Sequence, residues 1–257
     1  MSFFEEPQGA AVFKHALLGR YLVPFVTKTG SRSAGGRVAY LDAFAGAGSY
    51  EDGSPGSPSL AIETARALSS IRELRCYFVE ADRRNFERLS SLIASSEASA
   101  TSEAMRGDAT EFLQQVLKKA SGQPMFALLD PFGLGIPFDD LTQQLLARST
   151  WRYGRRQGPV TEVLVNFVHA GVYRNASKIE VRSKDPVQHA NARAVVDRVD
   201  ATLGGPWWQE IWRQGGTTEE RVAAIRDAYS GRVVAAAGTG WRSYTVQVQD
   251  SWQGRPV

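Results

Sequence analysis

Cysteine is nearly absent from this chain, since Cys76 is the only one among 257 residues. A single cysteine excludes a disulfide framework, and it excludes a zinc or iron–sulfur site built from several cysteines of this chain. Cys76 lies in the apolar run Cys-Tyr-Phe-Val. We therefore predict a buried structural thiol, which is the usual fate of a free cysteine.

Long hydrophobic runs are also missing. A helix that spans a bilayer needs about 18 apolar residues, and the sequence has no such stretch. The first residues, MSFFEEPQ, are acidic and lack the basic and apolar regions of a secretory signal. We expect a cytoplasmic protein with no membrane contact. With 43% hydrophobic and 22% charged residues, the composition is that of an ordinary globular protein.

Net positive charge is small, but the basic residues are unevenly placed. The net charge is +3, which is too small to prove a nucleic-acid partner. Residues 148–193 nevertheless hold nine basic side chains against Glu162, Glu180 and Asp185. We call this stretch the basic segment, and it favours contact with RNA or DNA phosphates, although a plain solvated surface remains an alternative. Its basic residues are Arg148, Arg152, Arg155, Arg156, Arg174, Lys178, Arg182, Lys184 and Arg193.

The stretch VAYLDAFAGAG, residues 38–48, predicts a buried strand, an acidic residue and a tight glycine turn. A phosphate loop would need Gly-Lys-Ser or Gly-Lys-Thr, but Ser49-Tyr50 follows Gly48. A dinucleotide site would need a small residue three positions after Gly48, but Glu51 stands there. A ligand with ribose and adenine but no phosphate fits, and S-adenosyl-L-methionine is such a ligand. A merely structural turn is the alternative.

Strands and helices alternate along the first two thirds of the chain. This alternation predicts an α/β fold with a mostly parallel, doubly wound, Rossmann-like sheet. The N-terminal helix is predicted to end at Pro24. We predict an N-terminal helix and linker at 1–36, a Rossmann-like core at 37–170, and a helical insertion with the last strand or strands at 171–257. The predicted strands are 38–42, 74–79, 104–106, 125–129 and 162–167, and the predicted helices are 10–26, 58–69, 82–94, 110–120 and 138–147.

In the last part of the chain, helices are predicted at 186–203 and 217–229, separated by a break at Pro206-Trp207-Trp208. Residues 241–248 alternate as a strand does. The pattern stops where a hairpin partner for that strand would begin. The sequence therefore predicts a chain that is truncated at its C-terminal end.

Carboxylates follow four successive predicted strands, namely Asp42, Glu80, Asp108 and Asp130. The carboxyl ends of parallel strands line the crevice where ligands bind in this fold. Four carboxylates would repel one another, and a cationic ligand rich in hydroxyl donors relieves that. The expected cofactor-binding residues are Asp42, Phe44, Gly46, Gly48, Glu80, Asp108, Ala109 and Asp130.

Each of these residues has an expected role. Asp42 orders the glycine turn or accepts from the cofactor ammonium through water, and Glu80 accepts both ribose hydroxyls. Asp108 accepts from the adenine amino group, and the Ala109 backbone N–H donates to a ring nitrogen. Plain helix capping by Asp108, and Asp82 in place of Glu80, stay open as alternatives.

The run Asp130-Pro131-Phe132-Gly133 is expected to carry the chemistry. An exocyclic amino group is hard to methylate because its lone pair is delocalised into the ring. Asp130 and the carbonyl of Pro131 would accept both amino hydrogens, while Phe132 stacks on the base. The alternative is a simple proline-glycine turn. No metal site is expected, because the three histidines show no metal-ligand spacing.

Six pieces of the sequence together resemble the three-Cys-motif partner proteins, a bacterial family with the class I methyltransferase fold. The resemblance implies an S-adenosylmethionine-dependent methyltransferase that works with a radical-SAM-like, iron–sulfur partner carrying three cysteines. The substrate is not implied. The pieces are Lys14-His15-Ala-Leu-Leu-Gly-Arg-Tyr21-Leu22, Tyr40-Leu-Asp-Ala-Phe-Ala-Gly-Ala-Gly48, Gly56-Ser57-Pro58, Tyr77-Phe-Val-Glu80, Leu129-Asp-Pro-Phe-Gly133 and Glu162-Val-Leu-Val-Asn166-Phe167.

The resemblance also implies that Lys14, His15 and Asn166 face the active site, and we count Lys14 and His15 among the expected catalytic residues with Asp130, Pro131 and Phe132. A plain helix surface is the alternative for Lys14 and His15. The run at Asp130 is similar to that of tRNA guanine dimethyltransferases. Two other functions stay open: a binding or regulatory partner without transfer activity, and a methyltransferase of small molecules.

Overall fold

The computed structural model describes residues 9–152, 155–167, 169–179 and 185–247. The described chain divides into two compact units. The first unit comprises residues 9–129, 158–164 and 244–247, and the second comprises residues 130–157 and 165–243 without the gaps. The main division thus falls after Leu129, whereas the sequence-based boundary lies at residue 170.

Five parallel strands form the sheet of the first unit in the order β3-β2-β1-β4-β7. β1 pairs with β2 on one side and with β4 on the other, so the strand order reverses between β1 and β4. The predicted α/β, Rossmann-like class is confirmed. The strands are β1 Arg37–Asp42, β2 Glu73–Glu80, β3 Ser102–Arg106, β4 Met125–Leu129, β5 Thr150–Arg152, β6 Arg155–Gln157 and β7 Thr161–Val165.

Eight α-helices accompany these strands in the described ranges. The first four belong to the first unit and alternate with its strands, which is the connection that parallel strands require. They are α1 Gly9–Gly30, α2 Ser57–Leu68, α3 Arg83–Ala94, α4 Ala109–Lys119, α5 His169–Ala176, α6 Pro186–Leu203, α7 Trp207–Arg213 and α8 Thr218–Ala237.

Both faces of the sheet are buried. One face forms a single apolar cluster in which Tyr40, Phe78 and Phe126 meet side chains of α1, α2 and α3. Alternate residues such as Leu41 and Val79 lie outside that cluster and are equally buried. The apolar strands of the sequence are explained by this burial on two faces, since neither face tolerates polar residues.

The prediction that Pro24 ends the first helix is wrong, because α1 continues through it to Gly30. An internal proline removes one helical hydrogen bond and costs about 3 kcal/mol. Leu22, Phe25 and Val26 flank Pro24 and are buried in the cluster. Their burial outweighs the lost bond, and the Tyr21 hydroxyl also ties α1 to β7 by donating to Glu162 Oε2 at 2.5 Å.

The second unit is mostly helical and departs from the sequence-based elements at two places. The helix predicted at 138–147 is a π-helix, Asp140–Leu145, followed by the 3-10 turn Leu146–Arg148. Trp207 begins α7 rather than marking a break, and the buried Trp208 indole donates to Asp200 Oδ1 at 2.6 Å.

A further departure concerns the predicted C-terminal strand, since residues 241–247 have no regular structure. Tyr244 and Val246 are 87% and 67% exposed on one face, and Ser243 and Thr245 are exposed on the other, so neither face of this segment is buried as a strand needs. Residues 248–257, on which the prediction of a truncated chain rests, lie outside the described ranges. None of the described helices is long and apolar enough to cross a bilayer.

Cys76 lies in β2 and is fully buried, which confirms the predicted structural thiol. Burial raises the pKa of the Cys76 thiol to about 12.

We expect the folded protein to react with a disulfide reagent at pH 8 about a thousandfold more slowly than it does in urea, because only the thiolate attacks. A Ser70→Cys variant is the control, since Ser70 is exposed and its thiol should react at once. Equal rates for the folded and unfolded wild type would contradict this burial.

Candidate functional site

The glycine turn after β1 has the backbone shape that the sequence predicts. Gly46 and Gly48 have φ angles of 64° and 86°, in the left-handed region that favours glycine. The backbone of the turn is tied to both neighbouring strands: Ala43 N donates to Leu128 O at 3.1 Å, and Ala45 N donates to Val79 O at 2.9 Å. The turn is therefore held in a fixed position at the carboxyl ends of the central strands.

The two glycines differ in the space around them. A Cβ added at Gly48 would lie 2.5 Å from Leu92 Cδ2, so the Leu92 side chain on α3 would have to shift. A Cβ added at Gly46 would meet no atom within 4 Å. The backbone at Gly46 is thus open to close approach by a ligand.

Glu80 ends β2 and binds the glycine turn directly. Its Oε2 accepts from Gly46 N at 2.7 Å, and its Oε1 accepts from Asp82 N at 2.7 Å. Each carboxylate oxygen can accept a second hydrogen bond, because an oxygen of an ionised carboxylate has two lone pairs. Glu80 is only half-buried, so two further donors, such as the hydroxyls of a ribose, can reach it.

Asp42, at the end of β1, is fully buried. Its Oδ1 accepts from Phe44 N and its Oδ2 accepts from the Tyr40 hydroxyl, both at 3.3 Å. These contacts match one of the two roles expected of Asp42, that of ordering the turn. Phe44, an expected cofactor-binding residue, contributes its backbone N–H to this ordering of the turn.

Asp108 caps helix α4, which is the alternative that the sequence left open. Its Oδ1 accepts from Thr110 N at 2.9 Å, and Glu111 completes a capping box by accepting from Asp108 N at 3.3 Å. Ala109 follows as the first residue of α4 and is buried. Its backbone N–H is one of the N-terminal donors that have no intrahelical partner. Gly107 N donates to Glu80 O at 3.1 Å, which joins this turn to the end of β2.

Lys14 and His15 lie on α1, beside the loop that follows the glycine turn. The His15 ring contacts the Tyr50 ring with centroids 5.6 Å apart and a tilt of 59°. Both Lys14 and His15 are half-buried rather than fully solvated. Tyr50 was not among the expected site residues, although an aromatic two positions after Gly48 was the signal available in the sequence.

Asp130 and its neighbours belong to the second unit. Asn166 Nδ2 donates to Asp130 Oδ1 at 2.8 Å, so these two candidate residues are brought together. Pro131 is buried, whereas Phe132 is 63% exposed. A carboxylate oriented by an amide, next to an exposed aromatic ring, is suited to hold a flat polar group by hydrogen bonds and stacking.

The basic segment lies mostly in the second unit, and its members differ in exposure. Burial lowers the pKa of Arg148 to about 10, so Arg148 keeps its charge at neutral pH. Arg193 pairs with Asp197 at 3.1 Å. The side chain of Arg152 and residues 182 and 184 lie outside the described part. The remaining basic residues of the segment are exposed: Arg155, Arg156, Arg174 and Lys178.

The difference between the two glycines predicts different stabilities for alanine variants. Gly46→Ala should cost about 1–2 kcal/mol of unfolding free energy through left-handed strain alone. Gly48→Ala should cost about 1 kcal/mol more, because its Cβ would force the Leu92 side chain out of its rotamer. Urea unfolding measures both, and removing the overlap in Gly48→Ala/Leu92→Ala should recover part of the added loss. Equal losses for the two single variants would contradict the close packing at Gly48.

Comparison with known proteins identifies no family for this chain. No family model matches it, and no curated protein matches its sequence. Among the described residues, no group of three or more side chains is arranged to hold a metal ion. Two local arrangements are therefore the basis for a proposed function: the hydrogen bond between Glu80 and the glycine turn, and the hydrogen bond between Asn166 and Asp130.

Proposed function

We propose that this chain is an S-adenosylmethionine-dependent methyltransferase that acts on an exocyclic amino group of a nucleic-acid base. The observation that carries the proposal is the Glu80 carboxylate, which the backbones of Gly46 and Asp82 hold at the carboxyl end of β2. In Rossmann-like folds an acidic residue at this position accepts from the ribose of the cofactor. The three-cysteine, iron–sulfur partner is proposed from the sequence resemblance alone.

The residues of the first unit fit the cofactor in four ways. Glu80 has one remaining lone pair on each oxygen for the two ribose hydroxyls. The open space at Gly46 admits close approach of the methionyl-ribosyl part. The N–H of Ala109 can donate to an adenine ring nitrogen, because it begins α4. Asp108 is occupied as a helix cap, so its second oxygen is the one that would accept from the adenine amino group.

The second unit supplies the groups for the methyl acceptor. Asn166 Nδ2 donates to Asp130 Oδ1 and orients the carboxylate, which would accept a hydrogen from an amino group. The carbonyl of Pro131 can accept the other hydrogen, and the exposed Phe132 ring can stack on the base.

These contacts bias the amino nitrogen toward the tetrahedral form, in which its lone pair is no longer delocalised. S-adenosylmethionine, when bound, would supply an electrophilic methyl group, whose bond to sulfur breaks as S-adenosylhomocysteine leaves. As the nitrogen forms its new bond to carbon it loses a proton, and Asp130 is the base of this chain that takes that proton.

Glu80 is tested by calorimetric titration with S-adenosylhomocysteine. We expect Glu80→Gln to weaken binding about 10–100-fold, because the amide keeps one acceptor oxygen and one hydrogen bond to a charged group, worth about 1.5–3 kcal/mol, is lost. Asp82→Asn is the matched control: it removes the same charge two residues away and keeps an effective cap for α3. The control should bind like the wild type. If both variants bind like the wild type, or if both lose binding equally, Glu80 is not the ribose acceptor.

Asp130 is tested by transfer of a labelled methyl group to RNA and DNA. We expect Asp130→Asn to slow transfer by about 10²–10⁴-fold while affinity for S-adenosylhomocysteine stays unchanged. An asparagine at position 130 can still accept from Asn166, so the turn should remain folded. Asp139→Asn is the control, because Asp139 is exposed in the same unit and its side chain accepts from Gln143 at 3.0 Å. Unchanged transfer in Asp130→Asn would refute this role.

A further inference from the structure

An open groove borders the glycine turn on the side of α3. Its volume is about 480 Å³, and all of its lining residues belong to the first unit. Leu92 forms part of the lining and packs against Gly48, so the groove and the turn share a wall. The lining residues are Ala47, Ser49, Arg84, Glu87, Arg88, Ser91 and Leu92.

The groove carries net positive charge, because two arginines and one acid, Glu87, line it. Glu87 pairs with Arg83 at 2.8 Å, and Arg83 is not among the lining residues. Arg84 and Arg88 stand four residues apart, which places their side chains on one face of α3 about 5–6 Å from each other at Cβ. Both are exposed, and no carboxylate in the described part of the chain forms an ion pair with either.

Arg88 and Ser49 bring the polar groups to the edge of the glycine turn. Arg88 Nη2 lies 3.5 Å from Ser49 O, so the guanidinium reaches from α3 to the loop after Gly48. A guanidinium has five N–H donors in a rigid fork, and one long contact leaves most of them for another acceptor. The Ser49 hydroxyl adds a further donor at the same place.

We infer that this groove binds phosphate groups of a nucleic-acid strand. Two guanidinium groups on one helix face and a hydroxyl match phosphate oxygens in charge and in hydrogen-bond geometry. The choice of nucleic acid as the source of the phosphate rests on the proposed function. The groove then holds the backbone of the substrate strand beside the glycine turn. Phosphate contacts position the strand but do not distinguish one base from another.

The test is fluorescence anisotropy with fluorescein-labelled single-stranded RNA and with DNA of the same sequence, at several salt concentrations and without cofactor. Arg84→Gln/Arg88→Gln should weaken binding at least tenfold. The slope of log affinity against log salt should fall by about 1.4, because two phosphate contacts on a single strand are lost. The control is Arg20→Gln/Arg66→Gln, which removes the same charge from exposed positions of the same unit outside the groove.

The control should keep the slope of the wild type and most of its affinity. Equal behaviour of the two double variants would overturn the groove as a phosphate site, and so would a wild type that binds neither polymer. A groove effect in a protein that fails to bind S-adenosylhomocysteine would support the groove and reject the proposed methyl transfer. The two proposals can thus fail separately.

Discussion

The carboxylate of Glu80 is the constraint on which the site of the first unit depends. It accepts one backbone N–H from the glycine turn after β1 and one from the turn that begins α3. The backbone carbonyl of the same residue accepts from Gly107, at the turn before α4. Three loops from three strands are therefore positioned by one residue. Since hydrogen bonds to charged groups are the strong ones, their geometry is fixed before any ligand arrives.

The carboxylates at the strand ends do not act as one set of equal acceptors. We expected a cationic ligand to relieve their mutual repulsion, but in the first unit backbone N–H groups already stabilise each of them. Asp42 is buried and orders the turn, and Asp108 caps α4. Glu80 combines a structural bond on each oxygen with an accessible second lone pair. This difference singles out Glu80 as the acidic residue best suited to a ligand.

The sequence predicted the sheet well, because residues buried on both faces leave an apolar run that ends where burial ends, as in β4. It misplaced the end of α1. A proline is visible in the local sequence, whereas the burial of Leu22 and Val26 depends on contacts with residues far away in the sequence. The alternation at 241–247 predicted a strand, but alternation cannot supply a partner strand. The groove on α3 was missed because Arg84 and Arg88 are typical of a solvated helix face. The groove that they line and the contact of Arg88 with Ser49 O distinguish them.

The strand order also sets the sequence of events during synthesis. Residues up to Leu129 contain β1 to β4 and their helices, so most of the sheet can form from one continuous piece of nascent chain. β7 must wait until residues 130–157 have emerged, and until then the outer edge of β4 has no neighbour. Exposed strand edges promote misassembly in slowly completed domains. We therefore expect this protein to need a chaperone most while that interval of the chain is being translated.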